Sequence, residues 1–151
     1  MDVSGRGYAL TPHAPRGHSM PQTVYAERET MISRGDLFSA SLDPVVGSEQ
    51  GGIRPVLILQ NNLGNIYCPT LIVAPLTTQT GKKPNQPPHY KLAGDGKAIR
   101  PSTVLLEQIT TIDKRRVAKR LSRLGSSEMD RMKEHILMSL GIHIPEEVEA
   151  P

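Results

Sequence analysis

The stretch Asp43-Pro44-Val45-Val46-Gly47-Ser48-Glu49-Gln50-Gly51-Gly52-Ile53-Arg54-Pro55-Val56-Leu57-Ile58-Leu59-Gln60 runs from a glycine-punctuated loop straight into a strand-length apolar run. The loop carries the turn residues Gly47, Gly51 and Gly52, while Pro55–Gln60 has the near-continuous apolar character of a buried strand. Arg54 stands at the junction, and Pro55 biases it towards extended backbone. An arginine at the mouth of a buried strand is held fairly rigidly. Its planar, permanently charged donors match a phosphate better than any other side chain. An arginine beside a loop also serves well as a salt-bridge partner, and the residues alone leave both readings open.

Outward from this stretch, strand signals dominate. Asp36–Leu42 alternates Leu37, Ser39, Ser41 against Phe38, Ala40, Leu42, and Thr70–Leu76 is a second apolar run. His89–Leu92, Ser102–Ile109 and Val117–Leu124 are further strand candidates, separated by Pro44, Gly64 and the Lys82–Pro88 segment. Pro75 inside a strand pattern predicts an edge or a bulge. The period then changes. Met129, Met132, Ile136, Leu137 and Leu140 lie on one face of a helix. Ser126 or Ser127 is placed to cap it and Gly141 to close it. Short strands followed by one helix predict a mainly β fold with α, a small antiparallel barrel carrying a C-terminal helix.

Composition bounds the rest. A chain of 151 residues with 37% hydrophobic residues suits one globular domain. Its single cysteine, Cys68, excludes an intrachain disulfide framework and reads as a small buried hydrophobe. No apolar run is long enough to span a bilayer, and the first residues lack a secretory signal. The expected location is cytoplasmic. Residues 1–30 have almost no apolar periodicity and are expected to be a disordered extension, with Met31 a candidate start. Residues 31–142 form the expected domain, and 143–151 an acidic disordered tail. Within the domain, basic charge gathers at Lys114, Arg115, Arg116, Lys119, Arg120 and Arg123. That cluster suits a phosphate backbone, though a solvated face is the commoner meaning.

Several chemistries drop out. No two histidines have metal-ligand spacing, no GxxxxGK[ST] loop is present, and Cys68 has no nearby histidine. Neither a metal nor a cofactor is expected.

From Met31 to about Ile142 the chain resembles the MazF/PemK (Kid) toxin endoribonucleases. The likeness rests on Ser33-Arg34-Gly35-Asp36-Leu37, the Asp43–Val56 stretch, Gln60-Asn61-Asn62, Pro69–Thr78 and Leu105–Lys114, in family order and spacing. It implies an SH3-like antiparallel barrel with a C-terminal helix. It also implies metal-independent cleavage of single-stranded RNA through the ribose 2′-hydroxyl, leaving a 2′,3′-cyclic phosphate and a 5′-hydroxyl. On this resemblance Arg54 and Thr77 are the catalytic residues, with Thr78 a possible substitute for Thr77. Glu49, Gln50, Gly51 and Gly52 match the mobile loop over the RNA, and Asn61 and Gln108 match groove positions whose amides can read base edges. Glu107 reads equally as a cleft residue or a strand-edge charge. The implied partners are single-stranded mRNA, a cognate MazE-like antitoxin, a second copy in a homodimer, and operator DNA reached through the antitoxin. A CcdB-like gyrase poison of the same barrel is the competing class. It relies on a C-terminal tryptophan, and this chain has no tryptophan. A catalytically dead regulatory barrel is the third reading, against which the intact Arg54 and Thr77 speak.

Overall fold

The computed structural model describes residues 31–79 and 86–147. The expectations for residues 1–30, for the centre of the lysine- and proline-rich loop and for the end of the acidic tail lie outside the described residues. Within them the strands are β1 (Asp36–Ser41), β2 (Ile53–Ile58), β3 (Thr70–Thr77), β4 (His89–Leu92), β5 (Ser102–Leu105), β6 (Thr110–Asp113) and β7 (Val117–Arg123). Helix α1 (Asn62–Tyr67) follows β2, and α2 (Ser126–Ser139) closes the order. The pairing is antiparallel throughout, in the order β4-β5-β3-β2-β1-β7, with β6 added to β3.

The alternation in β1 shows how the chain fills both faces of this sheet. Leu37 joins Leu57, Ala74, Leu76 and Met132 on one face; Phe38, Ala40 and Leu42 join Val56, Ile58, Leu71, Val73 and Ile112 on the other. Helix α2 covers the first face with Met129, Met132 and Ile136, as the helical spacing predicts. On the second face the cluster around Phe38 packs with Ile32 and Val117, and the sheet curls towards a small barrel without closing, β4 and β7 standing at its two ends. Two register shifts between β1 and β7 contribute to that curl.

Pro75 takes the irregular position its type demands. Along Thr70–Val73, β3 pairs with β6, whereas Leu76 and Thr77 pair with β5. Pro75 sits buried at the changeover, opposite Val56. A residue without an N–H is least costly where the second neighbour changes.

Four expectations need correction. Helix α2 is N-capped by Gly125 with no side-chain cap, because both serines already lie in its first turn. Cys68 is exposed, since it ends α1 with its N–H donated to Gly64 O and its side chain outward. The run Ser102–Ile109 is not one strand: β5 stops at Leu105, and Leu106–Gln108 forms a 3-10 turn before β6. Strand β2 begins earlier than the apolar run, at Ile53, so Arg54 lies within the sheet.

Much of the basic cluster is also committed to the fold. Arg123 donates to the fully buried Asp36 at 2.6 Å, and Arg116 donates to the carbonyls of Ser41 and Asp43. Lys114 donates to Asn65 O at 2.6 Å. Arg115 pairs with Asp113 and, with its backbone N–H, holds that carboxyl below the usual range. Lys119 and Arg120 remain as exposed cations on β7.

Candidate functional site

The site is built where β2 and β3 begin and end together. Their register sets Val56 opposite Pro75 and Ile58 opposite Val73. Continued by two residues, it sets Arg54 across from Thr77, on the face those residues share. Contacts agree with this placement: Arg54 Nε donates to Gly51 O at 2.7 Å, and Nη1 donates to Leu76 O at 3.4 Å. Two carbonyls therefore fix the half-buried guanidinium beside Thr77 while its remaining N–H groups stay available. Thr77 Oγ1 accepts from Gln79 N at 3.2 Å, which leaves its hydroxyl hydrogen free to donate.

The preceding loop explains its two glycines separately. Gly52 has φ +74°, a left-handed conformation, and donates its N–H to Asp43 Oδ1 at 2.9 Å. Gly51 needs no such backbone; instead a Cβ there would come within 2.7 Å of both Asp43 Oδ1 and Val45 Cγ2. Only glycine lets Gly51 approach closely enough to present its carbonyl to Arg54. The loop is tethered further along: Gln50 N donates to Gln108 Oε1 at 2.8 Å. Glu49 accepts from Val46 N at 3.2 Å and stays exposed. Between loop and β6 lies a groove of about 590 Å³, whose walls include Val45, Glu49, Gln50, Pro75, Glu107 and Gln108.

Of the residues singled out by sequence, Arg54, Thr77, Gln50, Gly51, Gly52 and Gln108 are thus linked through contacts or register, with Glu49 on the groove wall. Thr78 is exposed immediately after β3. Asn61 is not brought to this site. It lies beyond the opposite end of β2, and its carboxamide oxygen caps α1 by accepting from Gly64 N at 2.8 Å. Gln108 belongs here: its carboxamide oxygen holds the loop by accepting from Gln50 N, and its NH₂ carries two further donors.

One pair escaped the sequence reading. His89, whose side chain is only 6% exposed, lies 2.9 Å through Nε2 from Glu107 Oε1. His89 stands alone in the sequence, eighteen positions from Glu107. The pairing of β4 with β5 sets His89 opposite Leu105, and Glu107 follows two residues later. Only the strand pairing signals the contact.

Comparison with known proteins finds a matching family, sequence relatives and solved structures of similar fold. Residues 33–140 match the family described as PemK-like, MazF-like toxin of type II toxin-antitoxin system. The chain is 45% identical over 115 residues to the Endoribonuclease EndoA of Bacillus subtilis, covering 74% of this chain and 97% of that protein. It is 46% identical over 114 residues to the Endoribonuclease MazF of Staphylococcus saprophyticus, covering 75% and 94%. Among solved structures, MazF from Deinococcus radiodurans superposes with a TM-score of 0.63 at 23% identity, covering 74% of this chain and 97% of that one. An endoribonuclease in complex with its cognate antitoxin from a mycobacterial species gives 0.58 at 21%, covering 77% and 99%. At these identities the structures speak to the fold.

Proposed function

Because the chain belongs to the PemK-like, MazF-like toxins of type II toxin–antitoxin systems, we propose that Arg54 and Thr77 cleave single-stranded mRNA without a metal ion. Membership makes the chain a toxin endoribonuclease; the nucleophile, the catalytic pair and the substrate form are the proposal. The ribose 2′-hydroxyl gives its proton to solvent water as its oxygen attacks phosphorus; the bond to the 5′-oxygen breaks, and that oxygen takes a proton from water and leaves as a hydroxyl. The product is a 2′,3′-cyclic phosphate. Negative charge grows on the non-bridging oxygens as the phosphorane forms, and fixed donors aimed there lower the barrier. The observation that carries the reading is the clamping of Arg54 by Gly51 O and Leu76 O beside Thr77. A guanidinium remains protonated at any working pH, so its role is electrostatic rather than proton transfer. Thr77 adds a neutral donor to the same oxygens. The test is a defined RNA incubated with the protein in EDTA, followed by mapping of the ends. Cuts bearing cyclic phosphate and 5′-hydroxyl support the reading; intact RNA, or cuts bearing 3′-hydroxyl ends, refutes it.

The protein acts as a homodimer in this proposal. The described residues leave Val46, Ile53, Leu63, Ile66 and Tyr67 all more than half exposed, apolar surface that a second copy can cover. Light scattering at micromolar concentration should give twice the chain mass, and a monomer would contradict the proposal. The cognate antitoxin, an acidic partner on this reading, occupies the groove walled by Glu49, Gln50 and Gln108, covers the exposed donors of Arg54 across the Gly51 turn, and reaches operator DNA with its own residues. Antitoxin and RNA should then exclude one another. Each should raise the other's apparent Kd in a titration, and simultaneous binding without mutual weakening would remove the shared groove. Residues 31–142 constitute the catalytic domain, acting in the cytoplasm where mRNA is translated; among the described residues no helix is long and apolar enough to cross a membrane.

A further inference from the structure

We propose that His89 and Glu107 are positioning residues that set Gln108, and through it the loop that orients Arg54. This rests on the reading of Arg54 as the charge acting on the scissile phosphate. His89 touches two segments at once. Its Nδ1 lies 3.5 Å from Gln86 N and accepts that hydrogen, so the ring hydrogen belongs on Nε2 and is donated to Glu107 Oε1. Glu107 is the middle residue of the Leu106–Gln108 turn, which has no side-chain cap of its own. Leu106 is buried in the core, and its carbonyl accepts from Ser139 Oγ of α2. Those two contacts anchor the start of the turn. The ring of His89 holds its middle, and the orientation of its last residue, Gln108, follows.

Gln108 in turn accepts from Gln50 N at 2.8 Å, and the next residue, Gly51, supplies the carbonyl bonded to Arg54 Nε. The order of contact is thus Gln86, His89, Glu107, Gln108, Gln50, Gly51, Arg54. Packing alone does not call for a histidine at this place. Its strand neighbour across the sheet is the buried Leu105, and an apolar residue would fill the place of this nearly buried side chain with no polar group to satisfy. A ring with one fixed tautomer, aimed at a carboxylate on the groove wall, instead does what supporting residues around a reaction centre do.

The experiment measures steady-state cleavage of one RNA in EDTA. Wild type and Arg54→Ala come first, because equal rates for those two would remove the parent reading whatever His89 does. With Arg54 confirmed, Glu107→Ala and His89→Ala should each lower kcat by about tenfold while KM moves by less than about threefold, the pattern of a misplaced catalytic group. His89→Gln keeps an amide N–H near Nε2 and should recover most of the loss. Glu107→Ala combined with Gln108→Ala should cut no slower than Gln108→Ala alone, because both act along one line of contacts. Glu107 is partly exposed, so Glu107→Ala decides the matter if His89→Ala does not fold. The inference is overturned if folded Glu107→Ala keeps kcat within about twofold of wild type, or if the double variant loses the product of the two single losses.

Discussion

Arg54→Ala should fold, retain most RNA affinity and cut RNA at least 10²- to 10³-fold more slowly than wild type, the range for loss of one preorganised charge at a developing oxyanion. The fold survives because Arg54 caps the open end of the second apolar face rather than filling it. Val56 and Ile58 on that face are fully buried within an apolar cluster of which Arg54 is not a member. On the proposed reading affinity should survive because other groups remain to hold RNA: Lys119 and Arg120 are exposed, and the Glu49–Gly52 loop keeps its tether to Gln108. One lost phosphate contact lowers the salt dependence of binding by about one unit of slope or less. The rate collapses because the remaining guanidinium N–H groups act on charge that appears only as the phosphorane forms. Arg54→Lys separates two forms of the idea. An ammonium cannot donate to Gly51 O and Leu76 O together while still presenting two parallel donors outward, so little recovery is expected. Recovery to within about tenfold would show that charge alone suffices. A folded Arg54→Ala that cuts within about threefold of wild type would remove Arg54 from the reaction.

What the sequence disclosed about this site follows from the range of each signal. Arg54 was legible because a loop, a proline and an apolar run meet at one residue. Thr77 was legible through the family likeness alone, and its place opposite Arg54 became visible with the β2–β3 register. Strand β1 and helix α2 carry patterns that span several residues of one face, so their periods show, and β3 shows as a continuous apolar run. Strand β6 did not show as a separate element, because the buried Leu106 prolongs the apolar run of β5 through a turn. Helix α1 spans only six residues, too few for a 3.6-residue period to emerge. The likeness places Asn61 in the groove, yet the same carboxamide caps helix α1, a local use that the residues following it suggest. The loop tether and the His89–Glu107 pair were invisible for a different reason. Gln108 bonds a backbone amide 58 positions away, and no side-chain pattern encodes that.

The two neighbouring glycines should separate backbone strain from positioning of the catalytic charge. Gly52→Ala places a Cβ in open space but forces φ +74° on an ordinary residue. The cost is roughly 1–2 kcal/mol of stability. Its N–H still reaches Asp43, so cleavage below the melting temperature should stay within about threefold. Gly51→Ala reverses this balance. No unusual φ is imposed, but the new methyl would lie 2.7 Å from Asp43 Oδ1 and Val45 Cγ2. Val45 is β-branched and stiff, and Asp43 is held by the N–H of Gly52. Relief comes by rotating Asp43 away, which frees Gly52, or by moving Gly51 outward. Either route displaces the carbonyl that holds Arg54 Nε, and an error near 1 Å in a catalytic group costs about 10- to 100-fold in rate. Gly51→Ala should therefore lose kcat far more than thermal stability, and Gly52→Ala the reverse. Melting curves and kcat on both variants decide it. A Gly51→Ala protein that cuts within about twofold of wild type would show that the Gly51 carbonyl does not set the aim of Arg54.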